Sequence, residues 1–481
     1  MRPAAGARTM ARMLSPNTHT EEVPVLVVGG GPAGLAAAAE LARHEIPVLL
    51  VERRVVLSSH PRATVLSLRS MELMRAWGLE AAVRSRGLEV DSRMLDAETL
   101  ADAASGSLLW VGYPNREQSR ALSPVDVACV AQDEVEPLLL AHLRAQRSAR
   151  VSLGTELTRV WVGVDGVRAT LRDLRTGSLR SVHARYLVVA DGARSAVRGA
   201  LGIGLVGPEG VMAGVTTLFR APLWDVVGAH RHLIYSVSQP DAAGVFLPAG
   251  QGDRWLYGSA AVDASRAHDG HTADLIRLGA GVPDLPVRIE GARAFSAAAQ
   301  LAECFRCGPV FLAGDAAHRV TPRGGTGLNL ALHDGHDIGW KLAWAVRGWA
   351  GDELLDSYEA ERRPVAEYAV ARSADPRGSY REPNRELPVD LGGRIPHVWV
   401  GERSTLDLLG TGYTLFAGRE ANAPSLDTEA PVTVRRLPPI AARAIGAVGD
   451  AALLVRPDGR PAGLVPTPDG SGERALRAVL G

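Results

Sequence analysis

"VPVLVVGGGPAGLAAAAELARHEIPVLLVERR", Val23 to Arg54, is the stretch that decides the fold. Val23–Val28 is an unbroken apolar run, the pattern of a strand buried on both faces of a parallel sheet. Gly29-x-Gly31-x-x-Gly34 then turns the chain into an Ala/Leu-rich helix that ends near His44. Pro47–Val51 reads as the next strand, with Glu52 at its carboxyl end. Each glycine has a separate task. Gly29 permits the tight turn, Gly31 lets backbone approach a pyrophosphate, and Gly34 lets helix and sheet pack closely. Pro32 and Ala33 open the helix beside that pyrophosphate, where uncapped amides favour an anion. Glu52 stands about 20 residues past the glycines, where a ribose-hydroxyl acceptor belongs. An acid there, rather than Arg, disfavours a 2′-phosphate. The nucleotide is therefore FAD or NAD.

A second glycine-rich stretch, "GDAAHRVTPRGGTGLN", runs from Gly314 to Asn329. It follows an apolar strand, Pro309–Ala313, and opens into a long helix, Leu328–Trp349. The amides of Gly324, Gly325, Thr326, Gly327 and Leu328 mark a helix N-terminus suited to negative charge. The first fingerprint already takes the pyrophosphate. The remaining anion is the pyrimidine edge of a reduced flavin, with Asp315 left to hold a ribityl hydroxyl. Two grips on one extended molecule favour FAD over NAD.

Between these motifs the text changes period. Val151–Ala184 alternates and carries turns at Asp165-Gly166 and Thr176-Gly177, an antiparallel meander. Tyr186–Ala190 is again a buried strand, ending at Asp191-Gly192. Gly214–Ala261 is strand-like and aromatic, a separate antiparallel sheet. After a helix from about Asp352, the Pro/Gly/Arg-rich text beyond Ser373 reads as a linker. A small βαββ-like module begins near Ile395 and ends in a short helix, "ERALRAVLG".

The chain has 481 residues, enough for two or three cores. Its formal net charge is zero, and Lys341 is its only lysine. Nothing in that balance calls for a nucleic-acid partner. No apolar run reaches the roughly 18–20 residues of a membrane span. Residues 1–22 read as a flexible tail without a signal-peptide core, with Met10 and Met13 as alternative starts. Three cysteines, Cys129, Cys304 and Cys307, suit a reducing cytoplasm. Cys304-x-x-Cys307 lacks the second ligand pair that zinc needs.

Three stretches, "GGGPAGL", "ADGARSAVR" and "GDAAHRVTPRGGTGLN", resemble those of the single-component (class A) FAD-dependent aromatic hydroxylases with the para-hydroxybenzoate hydroxylase-like fold. The longer wording "HPRATVLSLRSMELMRAWGL", "ACVAQDEVEPLL" and "LLDSYEAERRPVA" resembles the branch that tailors aromatic polyketides in antibiotic biosynthesis. The resemblance covers about Val23–Ser373. It implies an α/β fold: a Rossmann-like FAD domain (23–90, 130–202 and 295–377), an interleaved antiparallel-sheet substrate domain (91–129 and 203–294) and a C-terminal thioredoxin-like domain (395–481). It implies a cytoplasmic monooxygenase, monomer or homodimer, with non-covalent FAD. NADPH or NADH and O₂ would serve as co-substrates, and a flavin C4a-hydroperoxide would hydroxylate a polycyclic phenol. Baeyer–Villiger insertion on the same scaffold and a non-catalytic flavin carrier are the alternatives.

Carried over by motif, Arg53 and Arg62 contact the adenosine and pyrophosphate, and Gln132 the pyrophosphate or ribityl region. Asp191 serves both FAD and the nicotinamide, Pro322 lies against the flavin ring, and Asn329 completes the Gly-Asp motif. Two positions depart from the pattern, Thr326 in place of a longer residue and Asp337 in place of Asn. The resemblance supplies no catalytic residue. His318 is a candidate to position water or substrate, or else a loop histidine bonded to backbone. Arg254 is a candidate flavin or substrate contact, or a surface charge. Tyr235, Phe246, Trp255 and Tyr257 either line an apolar substrate pocket or fill a core, and strand alternation lets only some face any one side. The repeated "HDGH" at 268–271 and 333–336 lacks a third ligand for a metal.

Overall fold

The architecture grows from the first parallel strand. In a computed structural model, which describes residues 20–260, 270–419, 426, 428–447 and 451–466, strand Glu21–Val28 lies at the centre of the principal sheet. It is parallel to Val48–Glu52 on one side and Leu179–Val189 on the other. Ala149–Leu153 and Val310–Leu312 extend the sheet in parallel at either flank. The expected meander is the antiparallel pairing of Thr155–Gly163, Gly166–Asp173 and Leu179–Val189. The parallel strands are wholly apolar because both faces are covered: Val25, Leu26 and Val27 have no exposed surface. On one face lies helix Pro32–Arg43, and packed on that helix is the central helix Gly327–Arg347. Helix Asp352–Ala374 follows the central helix.

A second, seven-stranded sheet contains Met212–Arg220, His232–Val237, Gly244–Pro248, Arg254–Ser259 and Arg288–Ala297 in antiparallel pairings. Asp91–Ala97 joins it in parallel with His232–Val237. A third sheet pairs Tyr413–Gly418 in parallel with Val432–Leu437 and antiparallel with Ala451–Val455, which pairs with Pro461–Pro466. Among the described residues no helix is long and apolar enough to cross a membrane.

Two expectations are corrected. The segment beyond Ser373 is not an unstructured linker: Pro383–Leu391 is a helix, begun by Pro383 and stopped by Gly392 in the left-handed region. It is tied back by the ion pair of Arg372 with Glu386, 2.8 Å apart. Glu21 and Glu22, assigned to the tail, belong to the first strand, where Arg180 and His183 pair with them. Residues 1–19, the terminal "ERALRAVLG" and His268 lie outside the described residues.

Candidate functional site

The two glycine motifs build one wall. Gly29 has a φ of +112°, and a Cβ there would stand 2.1 Å from the Ala190 carbonyl oxygen. A Cβ on Gly34 would stand 1.9 Å from the Gly29 carbonyl oxygen. Only glycine fits either place. The helix then starts at Gly31 and Pro32 with no side-chain cap, which leaves its first amides for an anion. Glu52 accepts the Gly30 N–H at 2.7 Å and the Arg54 N–H at 2.9 Å. Its carboxylate is thus fixed at the lip of the turn with lone pairs to spare.

Gly314, at φ +60°, brings the second motif against the first. A Cβ there would stand 3.0 Å from that of Ala33. Its N–H donates to Asp334 Oδ2 at 2.9 Å. Asp315 projects beyond, with Arg62 Nη1 4.0 Å from its carboxylate. The loop that follows turns through Gly324 and Gly325, at φ +86° and +63°. The Gly325 carbonyl accepts the Tyr113 hydroxyl at 3.0 Å and Asn329 Nδ2 at 3.4 Å. Asn329 also takes the Ser67 N–H and donates to the Val65 carbonyl. Held by its carbonyl side, the loop leads into the uncapped start of the central helix at Thr326 and Gly327. That helix rests directly on the first: a Cβ on Gly335 would lie 2.2 Å from the Ala33 carbonyl oxygen. The start of the first helix therefore abuts the central helix at Gly335, two turns past that helix's own uncapped start, with Glu52 at the lip of the first turn and Asp315 just past Gly314.

The donor set fits FAD. Anion-seeking amides lie at two points, and carboxylates for sugar hydroxyls lie between and beyond them. Asp191 Oδ1, at the end of a neighbouring strand, is buried without a partner, while Oδ2 takes the Val197 N–H at 3.3 Å. Pro322 is exposed on the rim of the loop, Arg53 is exposed at the end of its strand, and Leu328 is buried beneath the helix start. Gln132 begins helix Gln132–Arg144, with its amide 2.6 Å from Glu136.

Other candidates are placed differently. His318 has no exposed surface, and its Nε2 lies 2.6 Å from Asp334 Oδ2. Asp334 also takes Arg362 Nε at 2.8 Å. Burial would raise the Asp334 carboxyl, but His318 and Arg362 outweigh that and hold it well below the usual range. His318 braces the Gly314 turn and does not reach the open side. Arg254 is neither a free surface charge nor an unpaired anchor. Its Nη2 meets Asp133 at 2.6 Å, and it donates to the Ala249 and Ser59 carbonyls, at the edge of an open cleft of about 480 Å³.

Tyr235, Phe246, Trp255 and Tyr257 are fully buried in one core with Phe219 and Ile276, so the pocket-lining expectation is corrected. The two tyrosine hydroxyls are engaged with backbone, Tyr235 donating to the His230 carbonyl and Tyr257 to that of Ala242, while Trp255 Nε1 is buried without a partner. Alternation sends their neighbours to the other face, where Leu218, Leu247 and Leu256 form a separate apolar patch. That face meets the nucleotide-binding half, since Thr216 Oγ1 lies 3.3 Å from His60 Nε2. Burial, with Arg293 and Arg254 nearby, lowers the His60 pKa to about 4, so the ring is neutral at pH 7. Behind the Gly324–Thr326 loop is a small cavity of about 70 Å³, walled by Tyr113, Asn329, Tyr368, Arg372 and Asp390. In the second "HDGH", His333 Nε2 lies 3.0 Å from Ser70 Oγ, while the His336 ring lies 6.5 Å from that of Trp77.

Residues 22–373 match the family model of the FAD binding domain. The chain is 34% identical to the tetracenomycin A2 monooxygenase-dioxygenase of Streptomyces glaucescens, over 92% of this chain and 93% of the relative. It is 36% identical to the aklavinone 12-hydroxylase of Streptomyces peucetius, over 84% and 92% respectively. Among solved structures it resembles aklavinone-11 hydroxylase in a ternary complex with FAD and aklavinone, with a TM-score of 0.83, 30% identity, and 96% and 99% of the two chains covered.

Proposed function

The chain belongs to the FAD-binding-domain family of polyketide hydroxylases and is an FAD-dependent monooxygenase; from that premise we propose that it hydroxylates a polycyclic aromatic phenol of polyketide type, with NAD(P)H and O₂ as co-substrates. FAD, once bound and reduced, supplies the oxygen-transfer chemistry. The protein's own part is to bind, orient and keep the ring dry.

The observation that supports the substrate class is the sheet face turned toward the nucleotide-binding half. Leu218, Leu247 and Leu256 form an aliphatic cluster there, and Leu218 borders the open cleft. Arg254, the candidate anchor for a small carboxylate, is already bonded to Asp133. A flat ring system gains about 25 cal/mol per Å² of apolar area buried, without needing a cation. Polar contacts that fix its orientation are then few, and neutral His60 with Thr216 is one such pair on that side. The Tyr113 hydroxyl pins the Gly325 carbonyl, which supports a role for this loop in holding a flavin ring in one orientation toward the substrate.

The test compares an anthraquinone-type phenol with para-hydroxybenzoate, using purified holoenzyme, NADH or NADPH, and isotopically labelled O₂. The expected result is label in a product of the polycycle, with cofactor oxidation tied to product. Coupled hydroxylation of para-hydroxybenzoate and none of the polycycle would overturn the substrate class.

A further inference from the structure

The sole lysine, Lys341, has no exposed surface. Its Nζ is 2.9 Å from Asp337 Oδ2 and 2.9 Å from Glu361 Oε2. Glu361 also takes Arg456 Nη1 at 2.6 Å and Arg460 Nη1 at 3.0 Å. Arg456 in turn pairs with Asp458. Three carboxylates, Asp337, Glu361 and Asp458, lie within 4.8 Å of one another, and the three cations stand among them. The lattice is balanced only when complete.

Its members come from three places. Asp337 and Lys341 are on the central helix, Glu361 is on the next, and Arg456, Asp458 and Arg460 form the turn between the last two described strands. The same contact is apolar alongside: Trp340 and Trp344 pack with Tyr413, Leu415 and Leu454. Trp344 Nε1 donates to the Thr411 carbonyl at 2.9 Å. The central helix is thus gripped on one side by the C-terminal sheet. Gly335 and Gly339 press it on the other side against the first helix. Its N-terminus, about 21 Å away at 1.5 Å per residue, is the start that faces the flavin.

We propose that the C-terminal module is a clamp on the flavin-binding helix, latched through Lys341, so that undocking of the module and release of FAD are coupled. Removing the module takes away Arg456 and Arg460. That leaves Lys341 alone against Asp337 and Glu361 and bares Trp340 and Trp344. A helix that loses this wall holds the Gly324–Gly327 loop less firmly in one place. The inference rests on the FAD seat and not on the identity of the aromatic substrate.

Coupling is reciprocal: if undocking weakens FAD, FAD must suppress undocking. The full-length protein, with and without saturating FAD, is treated with acetic anhydride, and acetylation of Lys341 is followed by peptide mass. Alkylation of Cys129, buried in a cluster that contains no residue of the module, reports global unfolding. Both rates are normalised to those in denaturant. Without FAD, Lys341 is expected to label faster than Cys129, and FAD is expected to slow it roughly tenfold, within the span usual for coupled sites. Arg456→Gln, which changes no residue of the flavin-binding helix but takes the guanidinium from Glu361 and from the face of Trp340, is expected to speed Lys341 acetylation and weaken FAD binding by a similar factor. Equal protection of Lys341 and Cys129, acetylation indifferent to FAD, or unchanged FAD affinity in Arg456→Gln would each overturn the proposal.

Discussion

Asp334 shows how far one side chain can reach. It binds the Gly314 amide, His318 and Arg362 at once, with no exposed surface. Asp334→Asn would leave Arg362 as a buried cation without its counter-ion. Breaking a buried pair in this way typically costs about 3–5 kcal/mol. The expected result is a large fall in the urea midpoint, together with weaker FAD retention because the Gly314 turn loses its brace. An unchanged midpoint would mean that the network does not hold the turn. The sequence made Gly29, Gly34 and Gly314 legible because a backbone that tight admits nothing else. It did not make His318 legible, because a histidine three residues past a motif acid looks the same whether it faces a cleft or a buried carboxylate. Tyr113 and His60 gave no local signal. Tyr113 acts on Gly325, and His60 on Thr216, only after the chain has brought distant segments together.

At the scale of elements, parity and punctuation set the limits. Strands Arg254–Ser259 and His232–Val237 were recognisable as strands, but nothing in their text says which alternate face meets the nucleotide-binding half. The aromatic face belonged to the core, and the aliphatic one faces the nucleotide-binding half, where Leu218 borders the cleft. The helix Pro383–Leu391 was hidden by its own prolines and by the glycines that follow, which read as loop. That helix supports a pH prediction. Asp390, near its end, takes the Arg69 N–H at 3.2 Å, and burial pushes its carboxyl up from 3.8 to about 6. An acid with a raised folded pKa gives stability that is complete below its unfolded pKa and is lost as pH rises through the folded value. Wild-type protein therefore loses stability from this group between about pH 4 and pH 6. At about 1.4 kcal/mol per unit the loss is on the order of 2–3 kcal/mol. Asp390→Asn should match wild type at pH 4 and melt higher at pH 7. A difference in Tm that is equal at both pH values would remove Asp390 as the cause.

On the scale of the whole molecule, the two glycine motifs are separated by most of the chain yet form one wall, because Gly335 lets one helix lie on another. A ligand that spans both motifs binds only the assembled fold and so stabilises it, by about 2.7 kcal/mol when free ligand is 100 times its Kd. The attachment is expected to be non-covalent. Near the glycine loop the Tyr113 hydroxyl is committed to the Gly325 carbonyl, and His318 is committed to Asp334. Cys129 is buried, and burial alone pushes its thiol up to about 12, so it is not a ready nucleophile. Purified yellow protein should therefore release all its flavin to the supernatant on acid precipitation. The stripped chain should melt lower than the holoprotein and regain its Tm as FAD is added back, with a rise that grows with the logarithm of free FAD. Flavin absorbance that stays in the pellet would show a covalent link. A Tm indifferent to added FAD would show that the cofactor does not bridge the two motifs.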